Sequence, residues 1–461
     1  MRRTLFALPA AAVIASMTLV SAPVQAAAPA RPSAFTSVTA RPGPRVGEIT
    51  LRWSQAGLHT TGYVLETGLT AFSKTSASLP RTGRQSHLVN ISRSKRTLTL
   101  SAAQVAGLDA PVGSGNHLYF RLAAVNKGSG GTTLRYWPYL QAVLPKAQAP
   151  SASRGQLKVA SFNIRTARAT SDSRSWTQRA PDVARTIVGY GAGLVALQEL
   201  GPGRADGKTG TLKGTPRQTN SLTTALDRVG GQKYDLVRST PYVASGTPSN
   251  TQGMRILYDR TKYSLVSSCS DLTAKRSYSS SCSIVMPLMS GDSEKNRRRA
   301  AYAQFQDRAS GKRFFFVSVH LDARHSDKRA EEVKLDALRK RQADAVSKAL
   351  AKLNTRKVPV IIAGDFNSWQ NNRVNNSPHD TLVAQGYYDT SAAVTRTNFQ
   401  YSTYNEFKRT QPVASQGVGV RLDMILVKGA SGASRFDNVT QVTDATRPSD
   451  HNLVGAVIAP F

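Results

Sequence analysis

The sequence predicts a mixed α/β region behind a small all-β module, and three observations carry that reading. From Gln156 onward, apolar strands such as LKVASFNI, GLVALQEL, FFFVSVHL and VPVIIAGDF alternate with helical stretches, the order expected of layered α/β architecture. Between about Ala40 and Leu144, short alternating strands follow one another with turn signals between them. Residues 145–155 (PKAQAPSASRG) join the two parts and are rich in Pro, Ala and Ser, the composition of a linker.

The chain opens on an address. Met1-Arg2-Arg3 is basic, Leu5 to Val20 is apolar and small, and Ala26 and Ala28 offer small residues for cleavage. That pattern marks residues 1–26 as a secretory signal peptide and predicts a secreted, extracellular protein. The competing reading is an uncleaved N-terminal anchor. No later stretch resembles the roughly 20 apolar residues of a membrane span. A monomer without integral membrane association after cleavage is therefore expected. Export also makes the two cysteines readable. Cys269 and Cys282 bracket a short Ser/Lys/Arg-rich stretch and can close it as one disulfide in an oxidising compartment. Such a loop gives roughly 3 kcal/mol in the chain-entropy account.

In residues 40–144, Ile49, Leu51 and Trp53 alternate along one strand, Tyr63-Val64-Leu65 sit in the next, and Leu118, Phe120, Leu122 and Ala124 alternate again. Alternation places each set on one face, to be packed against a second sheet. At this length a single β-sandwich is expected. His59, His87 and His117 have no carboxylate or Cys at ligand spacing and read as surface residues, and Tyr136-Trp137 as packing residues.

In residues 156–461 the expected helices are Ala180 to Tyr190, Asn220 to Val229 capped by Thr219 or Asn220, and a long one from about Asp327 to Leu353. Val333, Leu338, Val346, Leu350 and Leu353 mark an apolar stripe on the last, with its charges on a solvated face.

Carboxylates, amides and histidines recur at the ends of the expected strands, where a rigid sheet can aim them at a common mouth. Asn163 ends VASFNI and Glu199 ends GLVALQEL. An acid closing an apolar strand is costly unless it faces solvent, is paired, or binds a metal. His320 ends FFFVSVH. Asp365 and Asn367 lie two apart in GDFN, so an extended segment points both to one side, although an Asp-Asn turn fits as well. Asp423 is a lone acid in LDMILV that needs a partner, and a histidine would serve. Asp450-His451 set a metal-ligand candidate beside a general-base candidate.

The ordered set SFNI, LQEL, VHLD, GDFN, LDMILV and SDHNLV resembles the endonuclease/exonuclease/phosphatase superfamily, the deoxyribonuclease I-like hydrolases. The resemblance covers residues 156–461 and implies a four-layer α/β/β/α sandwich that hydrolyses phosphate esters with Mg²⁺ or Mn²⁺. It implies Glu199 as metal ligand with Asn163 and Asp450 nearby, and His451 as general base held by Asp423. Asp365 and Asn367 would position the nucleophile and the phosphoryl oxygens, and His320 would donate to a non-bridging oxygen. In deoxyribonuclease-like members an acid supports the first histidine. Here the matching strand is TQGMRILYD, and Gln252, an amide, stands nearest that place. Residues 40–144 resemble a fibronectin type III domain through Trp53 and the stretch YFRLAAVN. They depart from it at Leu118, where a tyrosine is usual.

Charge bears on the substrate. The chain carries 61 Lys+Arg against 28 Asp+Glu, a formal +33. This excludes an acidic solvating protein and favours an anionic partner. Arg297-Arg298-Arg299 precede the strand before His320, and Arg204 and Lys208 follow Glu199, so loops near the mouth could follow a phosphate backbone. Extracellular nucleic acid, DNA or RNA, is the expected substrate. A phospholipid, sphingomyelin or inositol phosphate is the alternative, with Trp369 and Tyr387-Tyr388 as the aromatic residues to watch. A non-catalytic secreted binding protein is the third reading. Residues 27–150 hold 14 basic and 3 acidic residues, so the sandwich is the more densely basic part. On charge alone, removing it should weaken nucleic-acid binding and spare turnover.

Overall fold

The computed structural model describes residues 26–69, 87–139, 141–150, 156–168, 174–237, 253–269, 282–370, 374–414, 417–430 and 432–459. Gln252 and residues 1–25, where the signal peptide is expected, lie outside these residues. The disulfide Cys269–Cys282 is formed, with its Cα atoms 5.5 Å apart. No described helix is long and apolar enough to cross a membrane.

The N-terminal strands make two sheets. One orders Val38–Pro42, Ile49–Trp53 and Thr97–Leu100. The other orders His87–Ser92, Gly62–Gly68, Leu118–Gly128 and Gly131–Tyr136, with Gln141–Val143 beside the start of Leu118–Gly128. The alternating residues Ile49, Leu51, Trp53, Leu65, Leu118, Phe120, Leu122 and Ala124 form the buried core between them. Each large side chain buried there contributes roughly 1.5–3 kcal/mol. Tyr136 is a packing residue with a polar tip: its hydroxyl donates to Glu66 Oε1 at 2.9 Å, and the Arg121 guanidinium lies 4.1 Å from its ring centre.

The sandwich docks closely on the rest of the chain. Gln370 Nε2 donates to the carbonyls of Leu69 (2.9 Å) and His117 (2.6 Å), and the His117 amide donates to Gln370 Oε1 (2.9 Å). The Asp389 amide donates to Gly113 O at 2.7 Å. Gly113 (φ +81°) and Gly115 (φ +67°) have left-handed backbones, and a Cβ on them would stand 2.3 Å from the Tyr388 ring and 2.5 Å from the Asp389 carboxylate. Only glycine fits either place. His117 corrects the surface reading. It is buried in this junction, and its Nε2 accepts from Arg396 at 3.1 Å. Sequence spacing within the sandwich could not reveal a partner 279 residues away.

Residues 157–458 form two packed sheets flanked by helices. The first orders Tyr234–Leu236, Arg255–Asp259, Leu194–Gln198, Leu157–Asn163, Leu453–Ile458, Ala433–Val439 and Thr395–Thr397. The second orders Tyr263–Leu265, Arg299–Asp307, Arg313–His320, Val360–Asp365, Asp423–Lys428 and Tyr388–Asp389. Leu157, Val159, Ala196, Ile256, Phe305, Phe314, Phe316, Ile361 and Ile425 fill the space between the sheets. Helices Trp176–Tyr190 and Gln218–Arg228 cover the outer face of the first sheet, and Arg329–Leu353 and Ser377–Ala384 that of the second. This is the α/β/β/α sandwich expected. Both faces of each sheet are buried, which is why the central strands read as continuous apolar runs.

Three helix readings change. Gln218–Arg228 starts ahead of Thr219 and Asn220, so neither caps it, and Arg217 stands at the N-cap. Trp176–Tyr190 begins four residues before Ala180, where Gln178 Oε1 accepts from the Ser175 amide at 2.8 Å. On Arg329–Leu353, Val333 and Leu353 are 48% and 44% exposed, while Glu332, Asp336 and Arg339 are buried. These charges are not solvated. Arg339 pairs with Glu332 and donates to the carbonyl of Arg324 (2.8 Å), and Glu332 accepts from the Ser326 amide (2.8 Å). The helix thus fixes the loop after His320 with polar bonds, which an apolar-stripe rule does not anticipate.

Candidate active site

The two sheets bring their polar strand ends to one edge. In the second sheet, parallel pairing sets His320 opposite Asp365, and antiparallel pairing sets Asp365 opposite Asp423. The three form one cross-strand row. In the first sheet Asn163 stands opposite Gln198, one residue before Glu199. His451 lies two residues before the strand Leu453–Ile458, which pairs with Leu157–Asn163. Each strand therefore delivers one side chain at the point where its ladder ends.

The row and His451 make a compact buried group. His451 Nδ1 is 2.8 Å from Asp423 Oδ2, its Nε2 is 3.7 Å from Asp365 Oδ2, and His320 Nε2 is 3.5 Å from the same oxygen. Asn163 Nδ2 donates to Asp365 Oδ2 and to Glu199 Oε1, both at 3.2 Å. The Asn367 amide donates to Asp365 Oδ1 at 2.9 Å, and its side-chain Nδ2 to Leu321 O at 3.2 Å. Asn367 has φ 47°, so GDFN is extended up to Asp365 and turns beyond it. The turn and the site are the same residues.

Glu199 also has a left-handed backbone, φ 61°. Such backbone in a non-glycine residue costs on the order of 1 kcal/mol and persists where its surroundings impose it. Gly253 imposes it here. Its carbonyl accepts from the Leu200 amide at 2.9 Å, and a Cβ on it would lie 2.6 Å from Leu200 N. The result aims Glu199 Oε2 at the Thr166 amide, 2.9 Å away, and Oε1 at Asn163. Asp450 is held by Ser449 Oγ (3.2 Å) and faces Arg165 Nη1 (3.4 Å). Ser449 Oγ donates to the Asn163 carbonyl at 2.6 Å, joining the last loop to the first strand.

Electrostatics follow from burial and crowding. Burial raises the Asp365 pKa well above the carboxylate range, and Asp423 adds to it against the pull of His451. Burial likewise raises Asp450, and Glu199 adds to it. Burial opposes a charge on His451, but Asp423 and Asp365 outweigh it and its pKa stands above the ordinary histidine value. His320 goes the other way: burial, then Arg298 and His451, push it well below that value, so it is neutral at pH 7. Two histidines 131 positions apart in one site thus have opposite proton affinities.

The donor set suits a hard divalent cation. Carboxylate oxygens of Glu199 and Asp450 and the Asn163 amide oxygen are the ligand types Mg²⁺ takes, and a cation would relieve the crowding that raises Asp450. Asp365, Asp423 and His451 also present ligand atoms within 4.8 Å of one another. Their mutual hydrogen bond, Nδ1 to Oδ2, already uses the histidine nitrogen that faces Asp423, which suits proton transfer better than ligation.

The basic run divides. Arg297 is salt-bridged to Glu294 at the surface and Arg299 is buried at the head of its strand. Arg298 is half-buried, and the charges of Asp322, Glu199 and Asp365 favour its guanidinium against the cost of burial. Of the three, Arg298 is the one beside the acids. It stands just before the strand Arg299–Asp307, and a run of identical residues hides which of them faces the site. Arg204 is paired with Asp206, and Lys208 is exposed. Trp369 sits against His325, ring centres 5.4 Å apart. Tyr387 is buried and Tyr388 packs in the junction, so neither is an exposed aromatic loop. Sequence reading missed Arg165 at Asp450, Thr403, whose Oγ1 accepts from the Asp423 amide at 3.2 Å, and Tyr404, whose ring centre is 4.9 Å from that of His451. Arg165 directly follows SFNI and was findable. The pair Thr403-Tyr404 sits in a loop with no periodic signal.

No curated protein matches the chain. Among solved structures, a family protein from Bacteroides vulgatus is 20% identical, with a TM-score of 0.48 over 66% of this chain and 99% of its own. A mannosyl-6-phosphatase from Bacteroides thetaiotaomicron is 21% identical, with 0.46 over 66% and 99%. The human Nocturnin catalytic domain is 15% identical, with 0.42 over 67% and 95%. The Endonuclease/Exonuclease/phosphatase family matches residues 160–451, the span that carries every residue of the site above. The chain belongs to the endonuclease/exonuclease/phosphatase family of phosphoester hydrolases.

Proposed function

We propose that the protein is a secreted, metal-dependent nuclease that cleaves phosphodiester bonds of extracellular nucleic acid. One observation supports the chemistry most: a buried His451–Asp423 pair whose free Nε2 points at a cluster of carboxylates and amides. Asp423 accepts from Nδ1–H and so turns Nε2 toward the site, and His451, in its neutral form, takes a proton there from the attacking water; the carboxylates that raise its pKa also stabilise the imidazolium that results. Thr403 and the strand ladder hold Asp423 in place. Asp365, gripped by Asn163 and the Asn367 amide, orients the water and the phosphoryl group. Neutral His320 keeps an N–H for a phosphoryl oxygen as charge builds there, and Arg298 adds positive potential. Glu199 and Asp450, with Asn163, would hold Mg²⁺ or Mn²⁺, which supplies Lewis-acid stabilisation when bound.

Charge favours nucleic acid among the substrates of such chemistry. The mature chain is strongly basic, and polyphosphate backbones reward that. The aromatic pair that a lipid interface would use, Tyr387-Tyr388, is packed away. A plasmid-nicking assay with Mg²⁺, run beside sphingomyelin and phosphatidylinositol, tests the reading. Nicking that EDTA stops is expected, and lipid turnover without nicking would reverse it. In the same reading the N-terminal sandwich is a fibronectin type III-like module.

A further inference from the structure

The outer face of the three-stranded sheet in the sandwich is built from two residue types. Register places Thr39, Arg52 and Thr97 in one cross-strand row, and Arg41, Thr50 and Thr99 in the next. The residues between them, Val38, Ile49, Leu51, Trp53 and Leu100, turn inward to the core. The outward six line a shallow groove of about 560 Å³ together with Pro42, Gly43 and Pro44. No acid lines it. Arg41 and Arg52 are both exposed, and among the described residues neither is ion-paired. Thr50 and Thr99 join their hydroxyls at 3.0 Å, which stiffens the floor between the arginines.

The geometry points to this face as a second contact for a nucleic-acid duplex, gripping its phosphate backbone while the catalytic region cuts. The inference rests on the nuclease reading and adds a site to it. Arg41 and Arg52 are diagonal neighbours across a strand pair, about 7–8 Å apart at the backbone. Their side chains can therefore reach successive phosphates of one strand. The hydroxyls of Thr39 and of the Thr50–Thr99 pair can add hydrogen bonds to phosphate oxygens without reading sequence, while Thr97 Oγ1 donates to the Leu51 carbonyl at 3.1 Å. The face carries no aromatic ring. Single-strand binders rely on rings to stack unpaired bases, so the stacked duplex is the occupant that fits.

Position agrees. The Arg41–Thr50–Thr99 row lies at the end of the sandwich that meets the catalytic region. There the Gly47 amide donates to Lys146 O at 2.9 Å, and Gly47 packs on Val112, next to Gly113 in the junction. The junction itself is close-fitting, so a duplex on this face would lie at a fixed offset from the mouth.

The test uses the full mature chain in EDTA, a fluorescein-labelled DNA duplex and anisotropy across a salt series. Each phosphate contact adds about 0.9 to the slope of log affinity against log salt. The double variant Arg41→Ala, Arg52→Ala is expected to bind several-fold more weakly with a slope shallower by about 2. In Mg²⁺ it should keep wild-type turnover of a small phosphodiester and raise KM on the long duplex. Unchanged affinity and slope overturn the inference, and so does a loss confined to anionic vesicles. Cleavage with unchanged binding would sink this surface and leave the nuclease reading intact. Arginine-dependent binding without cleavage would do the reverse.

Discussion

Two buried histidine–aspartate pairs of nearly equal geometry sit in this molecule, one in the active site and one beneath the domain junction. His451 Nδ1 is 2.8 Å from Asp423, and His379 Nε2 is 2.9 Å from Asp389. In both, burial opposes the imidazolium and the carboxylates outweigh it, so both histidines hold a proton more firmly than usual. The difference is what faces the remaining atoms. The other nitrogen of His379 is bonded to Asp380 at 3.1 Å, and Asp389 is closed by Arg421 and the Ser391 amide. The other nitrogen of His451 meets Asp365 only at 3.7 Å, beyond hydrogen-bond reach. A histidine–carboxylate pair is thus not itself a signature of catalysis. A saturated pair is a structural tie, and an unsaturated one beside convergent acids is a tool.

The comparison orders the expected effects. Largest is the loss of rate. His451→Ala, Asp365→Ala and Glu199→Ala should each slow hydrolysis of a phosphodiester by at least about 10²-fold, the lower end for general acid–base groups. His379→Ala should instead destabilise, by about 2–3 kcal/mol in urea unfolding, because Asp389 loses a charged partner while Arg421 remains. Its folded fraction should keep turnover.

The junction also revises the charge-based expectation that the sandwich can be removed at no cost to turnover. Gln370 is three residues past Asn367 and is tied by its amide to Leu69 and His117. Gln370→Ala breaks those bonds at about 1 kcal/mol each. Turnover of a small substrate should fall several-fold in it and in a chain lacking residues 27–150. Equal turnover in all three would show that the junction does not support the site.

The smallest effect is on pH. Burial, then Arg396 and Arg421, hold His117 well below its ordinary 6.5. The unfolded chain takes up a proton that the junction refuses. His117's contribution is therefore complete above about pH 6.5 and declines as pH falls toward its folded pKa. His379, raised, has the opposite sign and loses its contribution as pH climbs through its folded pKa. Thermal melts of His117→Gln should show a flatter acid limb than wild type, and an identical limb would remove His117 from the account.

Much of the site was legible because most of its residues stand at or beside the end of an apolar strand, where a polar side chain is conspicuous. Asn163, His320 and Asp365 close their strands, Asp423 opens one, and Glu199 directly follows Leu194–Gln198. What stayed hidden depends on long-range packing. The burial of His117 comes from Arg396 and Gln370, the buried charges of Arg329–Leu353 come from a loop they brace, and Tyr404 reaches His451 from an aperiodic loop. Periodicity reports which face of an element is apolar. It does not report which polar groups find partners inside.

The most direct test of the central claim is hydrolysis of a simple phosphodiester by the full-length protein, with the metal as the variable. The account predicts turnover in Mg²⁺, its loss in EDTA, its return on adding Mg²⁺ back, and none of the three in His451→Ala. Turnover indifferent to EDTA, or retained in His451→Ala, would contradict it.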